Sequence, residues 1–212
     1  MRFSPFLLLS VILLAGCSAT MPVRTLAPGE SRITASVGGP TIELGNSNIP
    51  LPYLSVGFFH GATDDFTLGG SAHLIPAALG DGVIDIAGIY RLHRQSDLPE
   101  ITATFQVGLL TDFRFLRNVR CFPTIGINAS QEFGSHVLGF IGFDNTVQIA
   151  SPSYIISPYL GARYTFSDAF AMTLQSKWMA ANVNTAHGIF EGAGSVGGHG
   201  DIAIFIGMEF GL

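Results

Sequence analysis

The sequence predicts an all-β protein: an antiparallel up-and-down transmembrane β-barrel of ten strands, with eight as the alternative. Three observations lead there. The chain is 48% hydrophobic and only 12% charged, against about 25% charged in ordinary soluble chains. A water-facing surface normally carries ~25–35% charged residues, so this chain could hardly make one. Beyond residue 16 no apolar run approaches the ~18–20 residues of a spanning helix. From about Ser31 apolar residues instead recur at every second position, the period of strands with one apolar face. Lipid tolerates only structures that satisfy their own backbone hydrogen bonds, and a sheet closed on itself does so without leaving an edge.

The N-terminus stands apart from that pattern. Arg2, the apolar run Phe6 to Leu14 and the small residues after it have the layout of a secretory signal peptide. Leu14-Ala15-Gly16-Cys17 resembles the bacterial lipobox. The resemblance implies that the Cys17 thiol carries a diacylglycerol, that cleavage precedes it, and that the new N-terminus is acylated too. Cleavage near Ala19 by an ordinary peptidase is the alternative. Residues 1–16 are then signal, 17–29 an acylated tether and 30–212 the barrel, a single domain of ordinary size. Ser18 in place of Asp after the cysteine points, within that family, to the outer membrane. Cys121 is left alone, and no Cys/His spacing resembles a zinc site, so no metal or cofactor is expected. A net charge of -5 argues against nucleic acid, which needs clustered cations.

Alternation places strands near 30–38, 52–60, 66–74, 83–91, 101–110, 123–131, 136–143, 154–166, 170–180 and 200–212. In the last, Ile202, Ile204, Ile206, Met208, Phe210 and Leu212 share one face. That segment resembles the terminal strand read by the outer-membrane insertion machinery, an expected partner, although the aromatic Phe210 is not the final residue. In "FSDAF" a turn at Ser167, Asp168 and Ala169 would pair Phe166 with Phe170, Tyr164 with Met172, Ala162 with Leu174 and Pro158 with Trp178. All of these are apolar, while Arg163 and Lys177 fall on the other face. Connections alternate between mostly short and mostly longer, which puts both termini on the short-turn, periplasmic side.

Polar groups on the inner face are where chemistry could sit. Ser71 and His73 share a face of one strand and Asp85 lies on the next, a set that could in principle perform acyl transfer. Outer-membrane lipid A deacylases carry similar residues, but there Ser follows His. Hydrogen-bonded lumen packing is the alternative. Asp81, Asp85, His199 and Asp201 are loosely similar to the Asp and His residues of ten-stranded outer-membrane proteases, which are longer and order the pair oppositely. Arg32, Asp85, Arg163, Lys177 and Glu209 form an expected lumen network, with Glu209 beside Arg32 once the barrel closes. In "TDFRFLRNVRCF", Arg114, Arg117 and Arg120 alternate with Phe113, Phe115 and Leu116; outside the cell they could touch lipopolysaccharide phosphates. A solvated loop with interfacial aromatics is the other reading. "EGAGSVGGHG" reads as a flexible loop.

Over nearly all its mature length the chain resembles the small Gram-negative outer-membrane β-barrel proteins, with a lipoprotein signal added. The resemblance implies an outer-membrane location, outer-membrane lipids as partners, and a non-enzymatic structural, surface-interaction or narrow-pore role. Two other readings stay open. One is a lipid A or phospholipid acyl-modifying enzyme using Ser71, His73 and Asp85. The other is a soluble, lipid-anchored barrel that binds an apolar ligand.

Overall fold

The computed structural model describes residues 21–44, 47–50, 53–74, 77, 81–112, 119–148, 153–184 and 194–212. Among these lie eleven strands: β1 (Ser31–Leu44), β2 (Ser47–Pro50), β3 (Tyr53–Thr63), β4 (Phe66–His73), β5 (Asp81–His93), β6 (Glu100–Asp112), β7 (Arg120–Phe133), β8 (Val137–Gln148), β9 (Ser153–Ser167), β10 (Phe170–Asn184) and β11 (His199–Gly211). All neighbours are antiparallel, and β11 pairs with β1 from Arg32↔Gly211 to Pro40↔Ala203. β2 pairs only with the outer end of β1, so the closed wall has ten strands. Closure removes the unpaired edge that an open sheet would present to lipid. No helix among the described residues is long and apolar enough to cross a membrane.

The alternation read from the sequence sorts side chains inside-out. On β11 Ile204, Ile206 and Phe210 face outward while Ala203, Phe205 and Glu209 are buried. On β6 Phe105 is 54% exposed while Thr102, Thr104 and Gln106 are buried. A water-soluble protein does the reverse; here the exposed apolar belt is the surface that lipid covers. At the end of the barrel with the short turns, aromatic rings form a girdle. Tyr164 and Phe166 lie 4.7 Å apart between centroids, Phe166 and Phe170 5.4 Å, and Phe170 and Phe210 5.2 Å. Such rings belong at the membrane–water boundary.

Two details differ from the sequence reading. The turn joining β9 to β10 is tighter: Phe170 pairs with Ser167, and a bulge after it restores Tyr164↔Met172 and Ala162↔Leu174. The ladder then ends at Tyr159↔Lys177, so Pro158 and Trp178 are not paired. Several strands also run further at the loop end than alternation suggested, β8 to Gln148 and β10 to Asn184, because polar residues there end the apolar pattern before they end the ladder.

Residues 21–29, from the segment read as a tether, do not hang free at the mouth. Leu26 is buried with Phe59 and Ala87 inside the barrel, and Met21 packs against them. The Leu26 N–H donates to Thr67 Oγ1 at 2.7 Å and Asn128 Nδ2 donates to Val23 O at 3.0 Å. At the rim Gly29 N–H reaches Gly61 O and Gly61 N–H reaches Glu30 O, at 2.8 and 2.9 Å. A Cβ on Gly61 would overlap the Ala27 and Leu26 carbonyls, so the approach depends on glycine there.

Candidate functional site

The lumen holds the buried polar groups, in distinct layers. In the half towards the long connections, Asp85 on β5 lies opposite Ser71 on β4 in the ladder. Ser71 Oγ donates to Asp85 Oδ2 at 3.1 Å, and His73 Nε2 bonds the same oxygen. All three residues are buried, and the Tyr53 ring lies 4.9 Å from the His73 ring. The sequence-selected trio therefore meets, but in the order Ser–Asp–His. A nucleophile needs its base within hydrogen-bond reach, and here hydroxyl and imidazole both engage the carboxyl instead of each other. His73 Nδ1 and Asp85 Oδ1 make no hydrogen bond among the described residues.

A second pair crosses from β10 to β8. Lys177 Nζ lies 2.7 Å from Asp144 Oδ2, with both side chains 3% exposed, and 5.9 Å from the Tyr159 ring centroid. Gly126 opposite Asp144 in the β7–β8 ladder leaves the space that the Asp144 and Thr104 oxygens occupy; a Cβ there would collide with both. Asp144 was missed in the sequence because alternation ended that strand at residue 143.

The third layer lies near the short turns. Glu209 takes Arg163 Nε at 2.9 Å and Arg32 Nη1 at 3.3 Å, and Arg32 Nε also reaches Glu30 at 2.6 Å. Arg32, Arg163 and Glu209 thus form one cluster, while Asp85 and Lys177 belong to separate ones. Beside it Arg24, from the N-terminal segment, bonds Ser130 Oγ at 2.9 Å, Glu132 at 2.6 Å and Gln95. Arg91 pairs with Asp65 at 2.8 Å. Arg24 escaped the sequence reading because it lies outside any alternating segment. Burial pushes the Glu30 carboxyl up, but the Ala27 N–H and the Arg32 guanidinium outweigh it and hold it below its ordinary value.

Apolar layers close the lumen between these groups. Tyr53, Met179, Ala203 and Phe205 form one towards the long connections; Leu26, Phe59 and Ala87 with Met21 form another towards the mouth. Near Met21, Thr104, Asn128 and Gln175 the lumen narrows to a cavity of about 30 Å³, room for about one water, and towards the short turns a wider one of about 170 Å³ lies among Arg24, Arg32, Arg163 and Glu209.

Asp81, His199 and Asp201 are not brought together. β5 and β11 are separated in the wall by β4, β3 and β1, so Asp81 is not a neighbour of His199 and Asp201. Exposed His199 bonds Gly197 O through Nδ1 at 3.0 Å. Arg120 begins β7, while Arg114, Arg117 and Cys17 lie outside the described residues. Cys121 is a free, half-buried thiol. No group of three or more His, Cys, Asp or Glu among the described residues could hold a metal ion.

No known family profile matches the chain, and no curated protein matches it in sequence. Solved structures do. The translocator domain of the autotransporter NalP from Neisseria meningitidis matches with a TM-score of 0.50 at 10% identity, over 87% of this chain and 89% of that one. An outer-membrane channel from Pseudomonas putida F1 matches at 0.43 and 10% identity, over 90% and 98% of the two chains. The outer-membrane protein OprG from Pseudomonas aeruginosa matches at 0.35 and 12%, over 89% and 98%. At such identities the likeness speaks to fold alone. The likeness to the NalP translocator domain agrees with the closed ten-strand antiparallel wall and its apolar exterior: the fold is that of a transmembrane β-barrel.

Proposed function

We propose that the protein is a non-enzymatic outer-membrane barrel, closed to flow through its lumen, that acts through its outer surface and loops. The filled lumen carries this reading. Two apolar layers and an inserted N-terminal segment narrow the lumen, beside Met21, Thr104 and Gln175, to a cavity for about one water where a pore would need a continuous file of them. The purified, heat-modifiable protein is expected to give no steady conductance in planar bilayers at neutral pH. A persistent open current from the intact chain would overturn the reading in favour of a narrow pore.

A lipid on Cys17 belongs to the same proposal. Four residue steps separate Cys17 from Met21, a reach of at most about 14 Å when extended. An acylated Cys17 would therefore add a second membrane attachment within that reach of Met21, which lines the lumen beside Thr104 and Gln175. Its support is the Leu14–Cys17 tetrad; the check is the intact mass of the mature chain, and an unmodified N-terminus beginning past Cys17 would remove it. Insertion through the terminal strand and contact of Arg114, Arg117 and Arg120 with lipopolysaccharide are further parts of the proposal. Charge-removing substitutions at the three arginines are expected to weaken binding to lipopolysaccharide micelles.

A further inference from the structure

The lipid-facing wall is not smooth. On the outward side of β7 to β10, Ala129, Gly142 and Ser176 lie in a groove bordered by Ile141, Leu160 and Trp178. Its volume is about 550 Å³, within the ~300–1,000 Å³ of ordinary ligand pockets. The Tyr159 ring closes the floor from inside, because Gly142 lacks the side chain that would exclude it: a Cβ there would lie 2.6 Å from the Tyr159 hydroxyl oxygen.

The wall loses its regular ladder just above the groove. β10 follows β9 only to Tyr159↔Lys177, and its pairing with β11 slips between Met179 and Asn184. Side chains bridge the gap: Ala180 N–H donates to Ser157 Oγ at 3.1 Å, Ile156 N–H to Asn182 Oδ1 at 2.8 Å, and Asn182 Nδ2 to Tyr154 O at 2.7 Å. Trp178 Nε1 donates to His199 O at 3.0 Å, which places the indole at the loop-side boundary of the apolar belt.

We propose that this groove seats one acyl chain of a membrane lipid. It is continuous with the belt that membrane already covers, so no polar surface has to be stripped of water to fill it. Its lining is mostly apolar, with Ser176 contributing a hydroxyl, and it lies at mid-height of the wall: Leu160 is the central residue of β9, and Ser176 falls near the middle of β10. A flexible chain can follow the floor past Leu160 and Trp178, whereas a second barrel would have to insert a ridge of side chains in fixed register. The proposal deepens the reading that the protein works through its outer surface; conductance tests that reading separately.

The experiment places the full mature protein in liposomes containing a phospholipid with a photoactivatable acyl chain and maps the labelled peptides. Labelling at Ile127–Ala129, Ile141–Phe143 and Pro158–Leu160 is expected to exceed that on the opposite wall, around Leu68 and Ile86, several-fold. Ala129→Leu combined with Ser176→Leu fills the groove with side chains that lipid tolerates, and is expected to bring labelling down to the level of the opposite wall. Heat-modifiable migration of the variant shows that the barrel has formed; if it has not, Ser176→Leu alone is the comparison. Labelling uniform around the barrel, labelling unchanged in a folded variant, or, in gel filtration of the detergent-solubilised protein, a dimer that the double variant abolishes would each overturn the proposal.

Discussion

At the scale of single residues, the lumen shows how a polar group is kept inside a closed wall. Lys177 and Asp144 face each other at 2.7 Å, buried, and the carboxyl rests in the space left by Gly126. Losing one partner strands the other, at a cost of about 3–5 kcal/mol for a buried pair. Lys177→Met or Asp144→Leu should therefore lower the urea midpoint of the folded barrel clearly, while the two together recover most of the loss; a double variant destabilised by the sum of the two single losses would show that the pair is not coupled. Ser71 is a milder case. Its hydroxyl contributes one hydrogen bond, so Ser71→Ala should cost about 0.5–1.5 kcal/mol and leave lipid acylation in the host membrane unchanged. A change in lipid A or phospholipid acyl chains that depends on the wild-type protein and vanishes in Ser71→Ala would instead revive the enzymatic reading.

At the scale of elements, the inserted segment ties the N-terminus to the barrel through a turn held by Glu30. The Glu30 carboxyl accepts Ala27 N–H at 3.0 Å and pairs with Arg32. Since its folded value lies below the ordinary 4.5, its contribution is present above that value and is lost as pH falls through the lower one. A fluorophore on Thr25→Cys should thus report an unchanged segment at neutral and mildly acid pH and release only in stronger acid; Glu30→Gln should loosen it at neutral pH, and release already near neutral pH in the wild type would contradict the sign. The strands themselves were legible in sequence because the apolar exterior imposes a strict period of two, broken only where they leave lipid. The short turns were legible because so few residues separate the alternating runs. The inserted segment was not: Val23, Arg24 and Leu26 have no period of their own, and only the wall tells them where to lie. Asp144 was hidden differently: it continues the inner face of β8, but the apolar pattern ended that strand one residue earlier, and its partner Lys177 sits two strands away.

At the scale of the whole molecule, composition and topology answer the same physical demand. Ile33, Phe58, Leu68, Ile86, Phe105, Ile141 and Leu174 are exposed around the wall, and the buried positions behind them are rich in Thr, Ser, Gln and paired ions. Hydrophobic burial in water would favour turning these faces around, but the period of two allows that only by inverting every strand at once, which would put the Arg32, Arg163 and Glu209 cluster into lipid. In a bilayer or micelle the described arrangement satisfies both faces, and the β1–β11 seam satisfies the backbone. The mature chain with Cys17→Ser should accordingly refold from urea only when detergent or lipid is supplied, giving a band whose gel mobility changes on heating, and should aggregate on dilution into buffer alone. Because the substitution removes the site of the acyl chain proposed on Cys17, membrane association that survives it must come from the barrel. A monodisperse, folded protein in detergent-free buffer would mean that the exposed belt is covered by something other than lipid.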